Sequence, residues 1–171
     1  MVDTNQLLIP MKKVLLIGSA LSVLLLTNCK KKKDEPTPAK SRTELLTQHS
    51  WRLASSTADS EVDLNGDATS STDLMSEKAA CEKDDIITFS ANGSPRTGSK
   101  DEGPTKCGSD QSTTFNWSFN DVESVIKIKA LWLTVEEYTI EQLDENTLKV
   151  IYSTKDKNDK TYKGTDVYVK P

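Results

Sequence analysis

The sequence predicts an all-β fold: an antiparallel, up-and-down barrel of eight strands, preceded by a short helix and a disordered N-terminal tether. Three observations predict it. Segments in the C-terminal half alternate apolar and polar residues, as in Phe115-Asn116-Trp117-Ser118-Phe119, and a period of two marks a strand with one buried face. Turn-forming stretches such as Asn92-Gly93 and Asp144-Glu145-Asn146 separate these segments, so successive strands are expected to pair as neighbours. With Cys29 assigned elsewhere, Cys81 and Cys107 remain as an even pair, which in an exported protein indicates a disulfide rather than two free thiols or a metal pair. Such a meander closes into a barrel without a free edge. An open two-sheet sandwich would show similar periodicity.

The chain begins with export signals. Met11-Lys12-Lys13 is a basic segment ahead of the apolar run Val14 to Leu26; that run is too short to span a bilayer and suits a secretory signal. Residues 1–28 are therefore read as a signal peptide, with Met11 as the expected true start because the preceding residues carry Asp3 and no lysine. Leu26-Thr27-Asn28-Cys29 resembles a bacterial lipobox, although Asn28 stands where Gly, Ala or Ser is usual. The alternative is an ordinary signal peptide with a chance cysteine. The lipobox resemblance implies acylation of Cys29 and a lipid membrane as partner, since two or more acyl chains anchor a protein stably. Lys30 directly after the cysteine fits an outer-membrane lipoprotein of the cell envelope, facing the periplasm or the surface.

Residues 29–42 are a tether. The run Lys30 to Lys33, then Asp34-Glu35-Pro36-Thr37-Pro38, lacks the apolar residues a core needs. Its lysines either touch anionic head groups or form a solvated spacer. Residues 1–33 hold 6 of the 22 basic and 1 of the 26 acidic residues, leaving 16 against 25, a net charge of −9. A nucleic-acid phosphate backbone would be repelled by such a domain.

Residues 43–171 hold one domain, because about 130 residues suffice for a single core. Ser41 with Glu44 has capping-box spacing ahead of Leu45-Leu46, predicting a short helix. Trp51 to Ser56 is the first strand, with Trp51 and Leu53 on one face. Glu61 to Thr72 is read as a polar loop, and Asp73 to Ala80 as one further short helix delivering Cys81. Ile86 to Ser90 follows as a strand with Ile87 and Phe89 alternating. Asn92-Gly93 is the hairpin signal. The return arm, Ser94 to Lys100, contains Pro95 and Gly98 and no large apolar residue, so it is expected to be an irregular edge.

The strands that follow are regular. Phe115, Trp117 and Phe119 share one face; Ile126 and Ile128 point in while Lys127 and Lys129 point out. Leu133 to Leu143 places Tyr138 and Ile140 together, with Val135 out of phase and a bulge expected at Glu136-Glu137. Leu148, Val150 and Tyr152 alternate, and Tyr162 to Val169 forms a last strand whose phase the pattern leaves open.

Taken together, Leu45-Leu46 before Trp51-Arg52-Leu53, Asp63-Leu64-Asn65-Gly66-Asp67, Cys81-Glu82-Lys83-Asp84-Asp85 leading into Ile87-Thr88-Phe89, Cys107 and Trp117-Ser118-Phe119 resemble the lipocalin-like domain of lipoproteins from Bacteroidetes. The resemblance runs from Thr43 to Val169. It implies a lipocalin-like barrel and a cavity, with no particular ligand. Lipocalins usually carry Gly two residues before the first-strand Trp and a late Arg stacked on it. Here His49 occupies the first position and the late basic residues are Lys163 and Lys170.

No catalytic constellation is expected, and no enzyme. His49 is the single histidine, and no Walker loop, zinc pattern or dinucleotide fingerprint occurs. Asp84-Asp85 are adjacent on a strand and so point to opposite faces; they are read as the solvated entrance to it. Asp63, Asn65 and Asp67 match the first oxygen ligands of a calcium loop, but Ala68 and Leu74 stand where Gly and Glu are required, so a plain polar turn is the alternative to a weak calcium site, and no metal or cofactor is expected.

Two functions follow. In the first, the inward residues Phe89, Phe115, Trp117, Phe119, Ile126, Ile128, Tyr138 and Ile140 line a pocket for a small hydrophobic ligand in a monomeric, membrane-anchored protein. In the second, the same residues fill the barrel and the acidic outer face meets other envelope proteins. An eight-stranded barrel permits either.

Overall fold

The computed structural model describes residues 38–108, 112–130 and 135–171. The signal segment, Cys29 and the tether up to residue 37 lie outside the described residues. So does the expected beginning of a strand at Leu133.

Ser41 opens helix α1 (Arg42–Thr47) with a full capping box: its hydroxyl accepts from Glu44 N, and Glu44 accepts from Ser41 N at 2.7 Å. The chain then enters β1 (Trp51–Val62), followed by β2 (Ser71–Asp73), helices α2 (Leu74–Glu77) and α3 (Ala80–Lys83), β3 (Ile86–Phe89), β4 (Arg96–Asp101), β5 (Thr113–Phe119), β6 (Val125–Ala130), β7 (Glu136–Leu143), β8 (Thr147–Lys155) and β9 (Thr161–Val169). Strands β3 to β9 pair antiparallel in sequence order, and β1 pairs with both β3 and β9. Eight strands thus close a barrel, with β2 added outside the ring on β1. Closure excludes the open sandwich.

Several elements differ from the sequence reading. Strand β1 runs on to Val62, beyond the expected Ser56, and its register against β9 shifts between Leu53 and Ser55. The shift turns Ser56, rather than Ser55, to the interior. The single helix expected over Asp73 to Ala80 is two. Asp73 caps α2 through Met75 N and Ser76 N, and the backbone turns extended at Lys78 and Ala79 before α3 begins.

The arm taken as an irregular edge is a central strand. β4 is paired to β3 on one side and β5 on the other. Gly98 is the reason it fits, since a Cβ there would strike the Phe115 ring and Thr88 O. The missing side chain is filled from the facing strand. The turn before β4 is not a two-residue Asn-Gly hairpin either: only Gly93 has positive φ (93°), and Ser90 N donates to Thr97 O at 2.9 Å across a longer loop. The bulge expected at Glu136-Glu137 lies instead between Ile140 and Gln142, where β7 shifts register on β8. Lys127 and Glu137, on paired β6 and β7, form an ion pair at 3.0 Å.

Cys81 of α3 and Cys107 of the β4–β5 loop are disulfide-bonded, with Cα atoms 5.2 Å apart. The charged cluster beside this bond is not a solvated strand entrance. Asp85 is 8% exposed and pairs with Lys100 at 2.7 Å, while Asp84 accepts from Thr105 N at 2.8 Å. Asp84 holds the loop that carries Cys107, and Asp85 ties the start of β3 to β4.

The main core joins Leu46, Trp51, Phe89, Phe115, Trp117, Ile126, Ile140, Leu148 and Val150. Helix α1 lies over this end of the barrel, touching both β3 and β7. Val62, Leu74 and Tyr162 form a second, smaller cluster where α2 packs on β1.

Candidate functional site

The closed end is built around Trp51. Its ring is fully buried and its indole N–H donates to Leu46 O at 2.9 Å, so α1 and β1 seal one another. His49 lies at the position where lipocalins place Gly. Its ring sits 4.3 Å from the Trp51 ring, and its two nitrogens lie 2.7 and 2.9 Å from the carbonyl oxygens of Ser50 and Glu145. The residue packs at a tilt of 51° against the end-sealing tryptophan. Arg96 covers a second buried tryptophan, 5.0 Å above the Trp117 ring.

Of the eight residues expected to line a pocket, the structure gathers four around one space. Phe89, Ile126, Ile128 and Tyr138 line an apolar cavity of about 60 Å³. Phe115, Trp117, Phe119 and Ile140 pack in the surrounding core instead. Phe89 and Phe119 each meet the Trp117 ring edge-on, at 5.6 and 5.4 Å, and such aromatic packing fills space. The cavity is completed by Trp51, Ile87, Leu148, Val150 and Tyr168, which were not among the expected pocket residues. All five fall on inward positions of their strands; for Trp51, Ile87, Leu148 and Val150 the alternation was legible.

Beyond the cavity the interior changes character. Tyr138 also lines an open groove of about 1060 Å³ at the β7–β8 rim, together with Tyr152, Asp166 and Lys78. Asp166 is 8% exposed. It accepts from Ser56 Oγ at 2.6 Å, Tyr168 OH at 3.2 Å and Tyr152 OH at 3.5 Å. The register explains the grouping: Asp166 stands opposite Ser56 on β1 and Val150 on β8. Gly164 makes room for Tyr152, because a Cβ there would strike the phenol ring. Tyr138 OH donates to Glu136 at 2.6 Å, and its ring lies 5.7 Å from that of Tyr152.

The electrostatics follow from this burial. Desolvation raises the Asp166 carboxyl above the usual range, against the lowering effect of the Ser56 and Tyr168 hydroxyls and the positive charge of Lys78. The chain has four tyrosines, and burial pushes all four phenols up, with the Asp166 charge adding to the shift in each. Sequence reasoning missed this cluster. Its signal was the spacing Tyr162, Gly164, Asp166, Tyr168, every second residue of β9, with a carboxylate on what proves to be the inward face.

The other candidates resolve into structure. Asp63 accepts from Gly66 N at 2.6 Å and Ala68 N at 3.1 Å, and Asp67 accepts from Thr69 N at 2.7 Å. These carboxylate oxygens close a polar turn. Among the described residues no group of three or more His, Cys, Asp and Glu side chains is arranged around a metal position.

A family model described as a lipocalin-like domain matches residues 47–150. Among solved structures, a deswapped triple mutant of bovine odorant binding protein aligns with 71% of this chain and 71% of that chain, at 14% identity and a TM-score of 0.40. No curated protein matches.

Proposed function

Because the chain belongs to the lipocalin-like domain family, we propose that it is a monomeric, membrane-anchored envelope lipoprotein whose barrel binds one small ligand and performs no catalysis. The anchor is an acylated Cys29, with the residues between it and the Ser41 cap of α1 as the tether. One observation carries the ligand reading: Tyr138 lines both the apolar cavity and the groove. In this reading the ligand spans the two spaces past Tyr138, with the cavity as its apolar floor and the groove as its polar mouth. Pockets for drug-sized molecules measure about 300–1,000 Å³, so the cavity of about 60 Å³ takes the apolar part of a small molecule and the groove takes the rest.

Trp51 on the cavity wall provides the assay. Titrating the protein with 2-phenylethanol is expected to change tryptophan fluorescence saturably, and a cavity-filling Val150→Phe variant is expected to abolish the change. Absence of saturation up to the probe's solubility limit would remove the ligand reading. The modest cavity volume favours, in that event, a filled barrel acting as an interaction module. For the anchor, Cys29→Ser is expected to move the protein from the membrane to the soluble fraction; unchanged membrane association would refute acylation at this residue.

A further inference from the structure

We propose that the ligand is an amphipathic amine: a small organic cation whose charged nitrogen pairs with Asp166 and whose apolar part enters the cavity floored by Trp51. The inference rests on the ligand-binding reading above and narrows it to a chemical class.

Asp166 is a buried carboxylate inside the barrel, and the ion pairs among the described residues do not include it. Its donors are neutral hydroxyls from Ser56, Tyr152 and Tyr168. A buried charge whose hydrogen-bond donors are all neutral retains part of its desolvation cost. A cation arriving through the groove offsets that cost, whereas a neutral group does so less and an anion adds to it. The surroundings suit a cation as well. Tyr152 and Tyr168 touch this carboxylate and Tyr138 lines the same groove, and phenol rings attract ammonium groups through their faces. Tyr168 touches both Asp166 and the apolar cavity, so charge recognition and apolar burial are adjacent. Lys78 lines the same groove and its charge reaches Asp166, making it the competitor an incoming amine displaces.

The test is calorimetric titration of the protein with 2-phenylethylamine, 2-phenylethanol and 3-phenylpropanoate at neutral pH. The amine is expected to bind at least tenfold more tightly than the alcohol, and the carboxylate most weakly. Asp166→Asn, with its fold checked by circular dichroism, is expected to erase the preference for the amine while leaving the alcohol bound. Lys78→Met changes a groove residue outside the core and is expected to raise amine affinity severalfold. Equal binding of amine and alcohol overturns the amine assignment and leaves the ligand reading standing. Absence of binding by all three overturns both. An unchanged amine preference in Asp166→Asn overturns the role of this carboxylate.

Discussion

At the closed end of the barrel Leu46 and Trp51 are fully buried, α1 lies over the opening, and Phe89, Phe115, Trp117 and Phe119 pack ring against ring. At the open end the inward positions of the same sheet carry Ser56, Tyr152 and Asp166 beside a groove. Apolar burial holds the first region. The second relies on hydrogen bonds to one carboxylate, the small Val62–Leu74–Tyr162 cluster, and the Cys81–Cys107 bond. The difference indicates a division of labour: a core that keeps the barrel closed, and a weaker, polar half free to be specific.

The largest expected effect comes from breaking the closed end. Trp51→Ala removes a buried indole together with its hydrogen bond to Leu46 O, and large-to-small changes of this kind cost about 3–5 kcal/mol. Urea unfolding should show that loss, and a loss below about 1 kcal/mol would mean the end is held by other contacts. Next comes the brace beside the open end. Replacing Cys81 and Cys107 by serine releases a constraint between residues separated by 26 positions, expected to cost about 3 kcal/mol. Proteolysis should then begin in the β4–β5 loop rather than at α1.

The smallest effect has the opposite sign. The Asp166 carboxyl is raised, so the folded state disfavours its charge. That destabilisation is absent below the ordinary value of 3.8 and fully present above the raised one. Asp166→Asn should therefore stabilise the ligand-free protein at neutral pH by under about 1 kcal/mol. The gain should fade as the pH drops towards 3.8. Lys78 and the phenols of Tyr138, Tyr152, Tyr162 and Tyr168 face the same region. The cation works against the gain, so Lys78→Met should enlarge it. A destabilised Asp166→Asn at neutral pH would show that the hydroxyl network outweighs the cost of the charge.

Much of the fold was legible because burial on one face leaves a period of two. Trp117 and Ile126 were read as inward from alternation alone, and both are buried. The cysteine pair was legible from parity. Half of the expected pocket residues line the cavity, because alternation says which face a side chain takes but not how far along the barrel a void remains. Phe115 and Trp117 point inward as expected and pack solid. β4 was misread because Gly98 carries no pattern of its own; its role depends on Phe115 across the sheet.

The sequence by itself determined the regular strands from Phe115 onward, the inward Phe89, Phe115 and Trp117, the disulfide partners and the net negative charge, since each depends on residue type and local spacing. Only the tertiary structure decided which face β9 buries. Tyr162, Val167, Tyr168 and Val169 place apolar residues on both faces, so alternation alone was ambiguous. Pairing with β8 and with the shifted register of β1 turns Asp166 inward beside Ser56 and Tyr152. A register is shared between strands far apart in the chain, and the β1 shift that sets it leaves no local trace.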